Sequence, residues 1–162
     1  MPVTSEEFKA AMASFAAGVT IVTTLDSAGS PHALTATAFA SLSKTPPLCL
    51  VCVDKRARAH GPLHACKRFA VNILSADQQA LSAQFANGED DKFGGVPWSA
   101  GPATGCPIVA GALAWFECEL SDVYRGGDHD IFVGRLLAVS VREGDPLVYF
   151  RGGYASLRRS AG

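Results

Sequence analysis

Short runs of β-branched and apolar residues, each closed by turn chemistry, constrain this chain more than any other feature. The run Val19-Thr20-Ile21-Val22-Thr23-Thr24 is dense in side chains that suit a pleated surface. Asp26-Ser27-Ala28-Gly29-Ser30-Pro31 follows it with residues that favour turns, and residues 32–39 return as the second arm of a predicted hairpin. Further strands are predicted at residues 48–53, 69–74, 113–124, 131–141 and 146–150. Gly126-Gly127-Asp128-His129-Asp130 and Arg142-Glu143-Gly144-Asp145 separate the last three. About six or seven strands with few helices read as a mainly β chain, a barrel with helical insertions.

The helices are few and marked by their own signals. Thr4 with Glu7 three residues on makes a capping box, Phe8, Met12 and Phe15 recur at helical spacing, and Gly18 stops the run. Residues 57–67 and 76–85 are the other two predicted helices, the second with Leu81 and Phe85 four apart. Residues 87–105, rich in Gly, Pro and charge, read as a long loop of the kind that serves as a lid or binding segment. With no internal repeat, linker or low-complexity tract, residues 1–162 are expected to form a single domain.

Composition narrows the partners. Apolar residues make up 48% of the 162 and charged residues 18%, which excludes a disordered chain. The 14 Lys and Arg nearly balance the 15 Asp and Glu, so no broad field draws nucleic acid or an anionic membrane, and neither is an expected partner. Apolar runs such as residues 48–53 and 111–116 are too short to span a bilayer. The opening Met1-Pro2-Val3-Thr4-Ser5-Glu6-Glu7 lacks a basic region followed by an apolar one, so a cytoplasmic location is expected. Five irregularly spaced cysteines form no evident disulfide framework. Cys49 and Cys52 sit in a predicted strand, where positions three apart face opposite sides, so both are expected to be small core residues rather than a redox or zinc pair.

Four segments carry chemistry. Leu34-Thr35-Ala36-Thr37-Ala38-Phe39-Ala40-Ser41-Leu42-Ser43 is small and hydroxylated, which lets a flat ligand approach the backbone closely. Asp54-Lys55-Arg56-Ala57-Arg58-Ala59-His60 places cations at a predicted helix entry, suited to a phosphate. His129 stands between Asp128 and Asp130 at the mouth of a strand, where an imidazole can donate to a ligand or carry a proton. Tyr149-Phe150-Arg151-Gly152-Gly153-Tyr154 brackets a flexible turn with an Arg and aromatics. Each segment also has an ordinary reading as a solvated strand, helix end or turn. The dinucleotide-binding, P-loop, nucleophile-elbow and HExxH motifs are all missing. His60 and His64 are spaced to share a helix face, but the sequence identifies no third ligand, and no metal is expected. The residues alone lead to a β-barrel that binds a planar, phosphate-bearing ligand.

Taken in order, these segments resemble the short-chain flavin reductases, the reductase components of two-component flavin monooxygenases. The resemblance runs from Phe8 to Leu157 through residues 15–23, residues 34–43 with Pro46-Pro47, Ala70-Val71-Asn72-Ile73-Leu74, Gly127-Asp128-His129 and Arg151-Gly152-Gly153-Tyr154. It implies an FMN-binding split β-barrel of Greek-key type, and hydride transfer from NADH or NADPH to FMN or FAD. By the same resemblance Thr35, Ala36, Thr37, Ala38, Ser41 and Leu42 line the flavin path, while Asp54, Lys55, Arg56 and Ala57 stand at its phosphate end. Gly127, Asp128 and His129 contact the nicotinamide nucleotide, with His129 as the candidate catalytic residue, and Tyr154 helps close the site. Where such families often carry Asn-Ser, this chain has Thr37-Ala38, which removes an amide and a hydroxyl. A homodimer is implied, as is a flavin-dependent monooxygenase that receives reduced flavin by diffusion. Two alternatives stay open: a tightly bound FMN flavoprotein reducing a quinone, dye or ferric iron, and a non-enzymatic flavin- or haem-binding split barrel.

Overall fold

The computed structural model describes residues 2–88 and 92–160. In chain order, α1 (Ser5–Ala13) leads into β1 (Ala17–Gly18), β2 (Thr20–Leu25), β3 (Pro31–Ala36), β4 (Phe39–Lys44) and β5 (Pro47–Asp54). Then come α2 (His60–Cys66), β6 (Arg68–Ile73), α3 (Gln79–Ala86), β7 (Trp98–Ala100) and β8 (Pro107–Val109). The long strands β9 (Ala114–Gly126) and β10 (His129–Val141) follow, then the short β11 (Val148–Phe150) and β12 (Gly153–Ala155).

Seven strands pair antiparallel in the order β3-β2-β6-β9-β10-β5-β4. β3 and β4 therefore lie at opposite edges of the sheet, yet only Thr37 and Ala38 separate them in the chain. Three peptide steps reach about 11 Å at most, so the sheet must curl until its two edges meet. The Cys52 N–H donates to the Ala38 carbonyl at 2.9 Å, which carries the β4–β5 ladder one step into the link at the seam between the two edges. The result is the split barrel.

Alternation fills its interior. Cys49, Val51 and Val53 of β5, Val22 of β2, Phe69 and Val71 of β6, Cys118 of β9 and Phe132 of β10 form one buried cluster, closed by Ala59 and Leu63 at α2. A second cluster outside the barrel joins Val19, Ile21, Leu74 and Leu147 to Phe85 of α3. β2 is thus covered on both faces, and its hydroxyls must find partners. Thr20, Thr23 and Thr24 donate to the carbonyls of Ala36, Pro107 and Arg68, each at 2.7 Å. At Gly134 the barrel is so tight that a Cβ would lie 2.8 Å from Cys118 Cβ and 2.9 Å from Phe69 Cε1.

Several predicted elements differ from the fold. The capping box forms as expected, with Thr4 N–H donating to Glu7 at 2.9 Å and Glu7 N–H to Thr4 Oγ1 at 3.2 Å. However, α1 stops at Ala13, before Gly18, and buries none of its residues. The predicted helix at 57–67 begins only at His60, because the Asp54 carboxylate accepts from Arg56 N–H at 2.8 Å and holds the preceding residues in a turn. Pro62 then falls in the first turn, where its missing N–H has no helical partner to lose. The predicted strand at 32–39 is cut at the seam, so that Phe39–Lys44 is a strand of its own. Within the predicted loop at 87–105, Trp98–Ala100 pairs with Pro107–Val109, while Glu89, Asp90 and Asp91 lie outside the described residues. Twelve strands among the described residues replace the expected six or seven: the strand expected at 146–150 forms as β11, β4 arises from the cut at the seam, and β1, β7, β8 and β12 are too short to show periodicity. Cys49 is buried with its Sγ 3.7 Å from that of Cys118, but Cys52 faces the other way and is only half-buried.

Candidate active site

The seam that closes the barrel also opens a cleft of about 600 Å³, within the ~300–1,000 Å³ typical of small-molecule sites. One wall is the end of β3 and the link to β4: Ala33, Leu34, Thr35, Ala36, Thr37 and Ala38. The facing wall comes from the end of β5 and the turn after it, through Cys52, Asp54, Arg56, Ala57 and Arg58. The C-terminal end of α3 and the chain beyond it add Phe85, Ala86, Asn87, Gly88 and Lys92, and His129 stands at the rim. Small side chains on the first wall leave the backbone within reach of a flat ligand, while cations collect on the second and third.

The charges are arranged in a chain. Arg56 pairs with Asp54 at 2.8 Å, and this guanidinium holds the Asp54 carboxyl far below the usual carboxylate range. Arg58 is the third cation of that run. Lys92 donates to the Phe85 carbonyl at 3.1 Å; partial burial, with the charge of Arg58, lowers its pKa. A cation that is costly to bury and close to another cation is one that an anion would relieve.

The turn between β9 and β10 presents His129. Gly127 takes φ +72°, a left-handed conformation that suits glycine. Lys55 fastens this turn: its Nζ donates to the Gly127 carbonyl at 2.5 Å and its N–H to the Asp128 carbonyl at 3.0 Å. Asp128 meets His129 Nδ1 at 2.7 Å, and its carboxyl is lowered by that contact. The ring is thereby oriented, with Nε2 left for a ligand in the cleft.

A smaller cavity of about 200 Å³ adjoins the cleft and shares Thr35, Thr37 and Ala86 with it. Tyr154 and Tyr149 line it. The Tyr154 hydroxyl lies 2.9 Å from Ser82 Oγ, and Thr35 Oγ1 donates to the Ser82 carbonyl at 2.8 Å, so α3 is tied to both β3 and β12.

Of the residues singled out in the sequence, Thr35, Ala36, Thr37, Ala38, Asp54, Arg56, Ala57 and His129 meet in the cleft. Lys55, Gly127 and Asp128 stand behind His129 and shape its turn, and Tyr154 lines the adjoining cavity. Ser41 and Leu42 are exposed on β4 and line neither space. Sequence reasoning missed Arg58 as a lining residue although it lies in the basic run, and missed Lys92 although it lies in the long loop. Asn87 and Gly88 belong to that same loop, whereas Cys52, Phe85 and Ala86 carried no signal for a ligand.

The chain matches the model of the flavin reductase like domain over residues 12–158. It is 45% identical over 144 residues to the stachydrine N-demethylase reductase subunit Stc3 of Rhizobium meliloti, covering 89% of this chain and 62% of that protein. This chain therefore spans less than two thirds of that relative. Among solved structures, BorF, the flavin reductase component of a bacterial two-component tryptophan halogenase, superposes with a TM-score of 0.89 at 43% identity, covering 97% of this chain and 100% of that one. The Streptomyces globisporus NADH:FAD oxidoreductase SgcE6, in complex with NAD and FAD fragments, gives a TM-score of 0.93 at 34% identity, covering 100% of this chain and 99% of that one. No helix among the described residues is long and apolar enough to cross a membrane. With a family model spanning nearly the whole barrel and its cleft, this chain belongs to the flavin reductase like domain family.

Proposed function

We propose that this chain is an NAD(P)H:flavin oxidoreductase that reduces FMN or FAD in the seam cleft and releases it to a flavin-dependent monooxygenase. The observation that carries this reading is the cleft itself, where a wall of small residues at 35–38 faces cations and an oriented His129. A flavin fits the donor set: its ring needs close backbone approach, and its phosphate needs cations such as Arg58 and Lys92. Bound flavin supplies the hydride acceptor and NAD(P)H the donor, so most of the rate comes from orientation and proximity. Thr35, Ala36, Thr37 and Ala38 hold the ring by backbone and hydroxyl groups, with Asp54, Arg56 and Ala57 framing the phosphate end. His129 orients the nicotinamide nucleotide through Nε2, Asp128 fixes the imidazole, and Lys55 keeps the Gly127 turn in place. Tyr154 restricts the far end of the site.

The relatives named as a reductase subunit and as a two-component reductase support delivery of reduced flavin to a separate oxygenase. A cytoplasmic single domain over residues 1–162 accords with the same reading. A homodimer accounts for apolar surface that nothing among the described residues covers: Phe8, Met12 and Phe15 are 59%, 54% and 74% exposed, and Leu137, Val139 and Val141 are also exposed. Sedimentation should give twice the chain mass, and a monomer would count against the dimer.

The decisive assay follows loss of reduced nicotinamide absorbance with NADH or NADPH, with and without added FMN, FAD or riboflavin. Oxidation that depends on free flavin, with KM for the nicotinamide raised in His129→Ala, is the expected result. A flavin that stays bound while added flavin changes nothing points to a tight flavoprotein. Turnover with no pair of substrates overturns the reductase reading.

A further inference from the structure

His60 and His64 share a helix face, and the fold brings them a third donor that the sequence did not reveal. Asp130, the second residue of β10, comes up beside the first turn of α2. Its Oδ2 lies 2.8 Å from His60 Nε2 and 3.8 Å from His64 Nε2. One ligand atom from each residue falls within 4.8 Å of the others. We propose that His60, His64 and Asp130 form a binding site for a divalent transition metal ion, zinc by the chemistry of its donors.

The geometry suits that ion. Zinc bonds of about 2.05 Å in a tetrahedron put donor atoms about 3.3 Å apart, and the 2.8 and 3.8 Å separations straddle this value. Shifts of about half an ångström bring the two Asp130 separations to this value, and the two ring nitrogens, within 4.8 Å of each other, need close by at most about 1.5 Å. Two imidazoles and one carboxylate favour zinc over magnesium or calcium, which seek oxygen shells. His64 is half-exposed, leaving a fourth position for water.

Two further observations point to a ligand. Asp130 is buried, and its Oδ1 has no hydrogen-bond partner; the nearest cation is Lys55 Nζ at 3.6 Å. A metal ion supplies this buried carboxylate with a direct bond beyond the longer ion pair it makes with Lys55. Both rings are also held before any ion arrives. Fully buried Phe132 packs edgewise on His60 and His64, with centroids 5.4 and 4.9 Å away. Little side-chain entropy is then lost on binding.

Binding replaces the hydrogen bond between His60 and Asp130 by two metal bonds, and the proton between them passes to solvent. Side chains alternate along β10, so Asp130 faces α2 while its neighbour His129 faces the cleft. The ion therefore fastens α2 to the root of the His129 turn and takes no part in hydride transfer.

The test uses the full chain stripped by a chelator and then titrated with Zn²⁺ by calorimetry and with Co²⁺ by visible spectroscopy. One equivalent should bind, raise Tm, and give a cobalt d–d spectrum without a thiolate charge-transfer band. His64→Ala should weaken binding by more than about tenfold while the metal-free Tm and flavin reduction stay as in the parent, and Asp130→Asn should also weaken it. Absence of binding, affinity undiminished in His64→Ala, or a thiolate band that puts the ion on Cys52 or Cys66 would each overturn the proposal.

Discussion

Gly134→Ala tests how closely the barrel is packed where β10 crosses the interior. On propensity alone the change should help, since an interior glycine costs roughly 0.5–1 kcal/mol relative to alanine. Steric contact reverses the sign. The added methyl would sit 2.8 Å from Cys118 Cβ and 2.9 Å from Phe69 Cε1, with Phe69 Cζ closer still. Carbon atoms rest about 3.5–4.0 Å apart, so both neighbours must retreat by roughly 0.6 Å or more. Neither has room, since Phe69 and Cys118 are fully buried and both belong to strands paired on each side. Overpacking costs about 1–3 kcal/mol, and two unyielding neighbours put this case near 3. At about 2–4 °C per kcal/mol for a chain of this size, Tm should fall by roughly 6–12 °C in a calorimetric or circular-dichroism melt. Phe69→Leu removes the ring atoms, so adding Gly134→Ala to that variant should cost at least about 1 kcal/mol less than in the parent. A Tm within about 2 °C of the parent, or strictly additive variants, would refute the packing argument.

Three further outcomes follow from the site and its supports. Lys92→Met should weaken FMN binding by about 10- to 100-fold, the worth of one charged hydrogen bond, and leave riboflavin unaffected in fluorescence titrations; equal losses for both would sink the phosphate assignment. Buried Glu117 accepts from Thr104 N–H and Oγ1, both at 2.7 Å, and from Ala103 N–H at 3.0 Å. Glu117→Gln turns one acceptor into a donor, so stability in urea should drop by about 2 kcal/mol, and an unchanged midpoint would contradict the account. Burial pushes the Cys106 thiol up to about 11 from an ordinary value of 9.0. The folded chain then keeps a proton that the unfolded chain gives up, so stability should decline as pH rises from about 9 to about 11. Urea midpoints across that range should fall less steeply in Cys106→Ala, and identical slopes would exclude this source.

Much of the barrel was legible because its causes are local. The β-branched run at residues 19–24, the apolar runs of β5 and β6, and the glycine turn before His129 each state their conformation within a few residues. So does the capping box of Thr4 and Glu7, which forms as written. Family membership was legible in the order of motifs, and Thr35, Ala36, Thr37, Ala38, Asp54, Arg56, Ala57 and His129 converge on one cleft. What remained hidden depends on atoms distant in the chain. Residues 32–39 look like one continuous strand, and only closure of the barrel breaks them at Thr37 and Ala38. Cys49 and Cys52 were rightly set on opposite faces, but only the seam makes one face a core and the other a cleft wall. Lys92 reaches the cleft against the end of α3, and Asp130 meets His60 across 70 residues, because helix packing and the pairing of β5 with β10 bring them there. Backbone preference acts between neighbours and can be read from them; which distant side chains share a space is decided by the packing of the whole barrel.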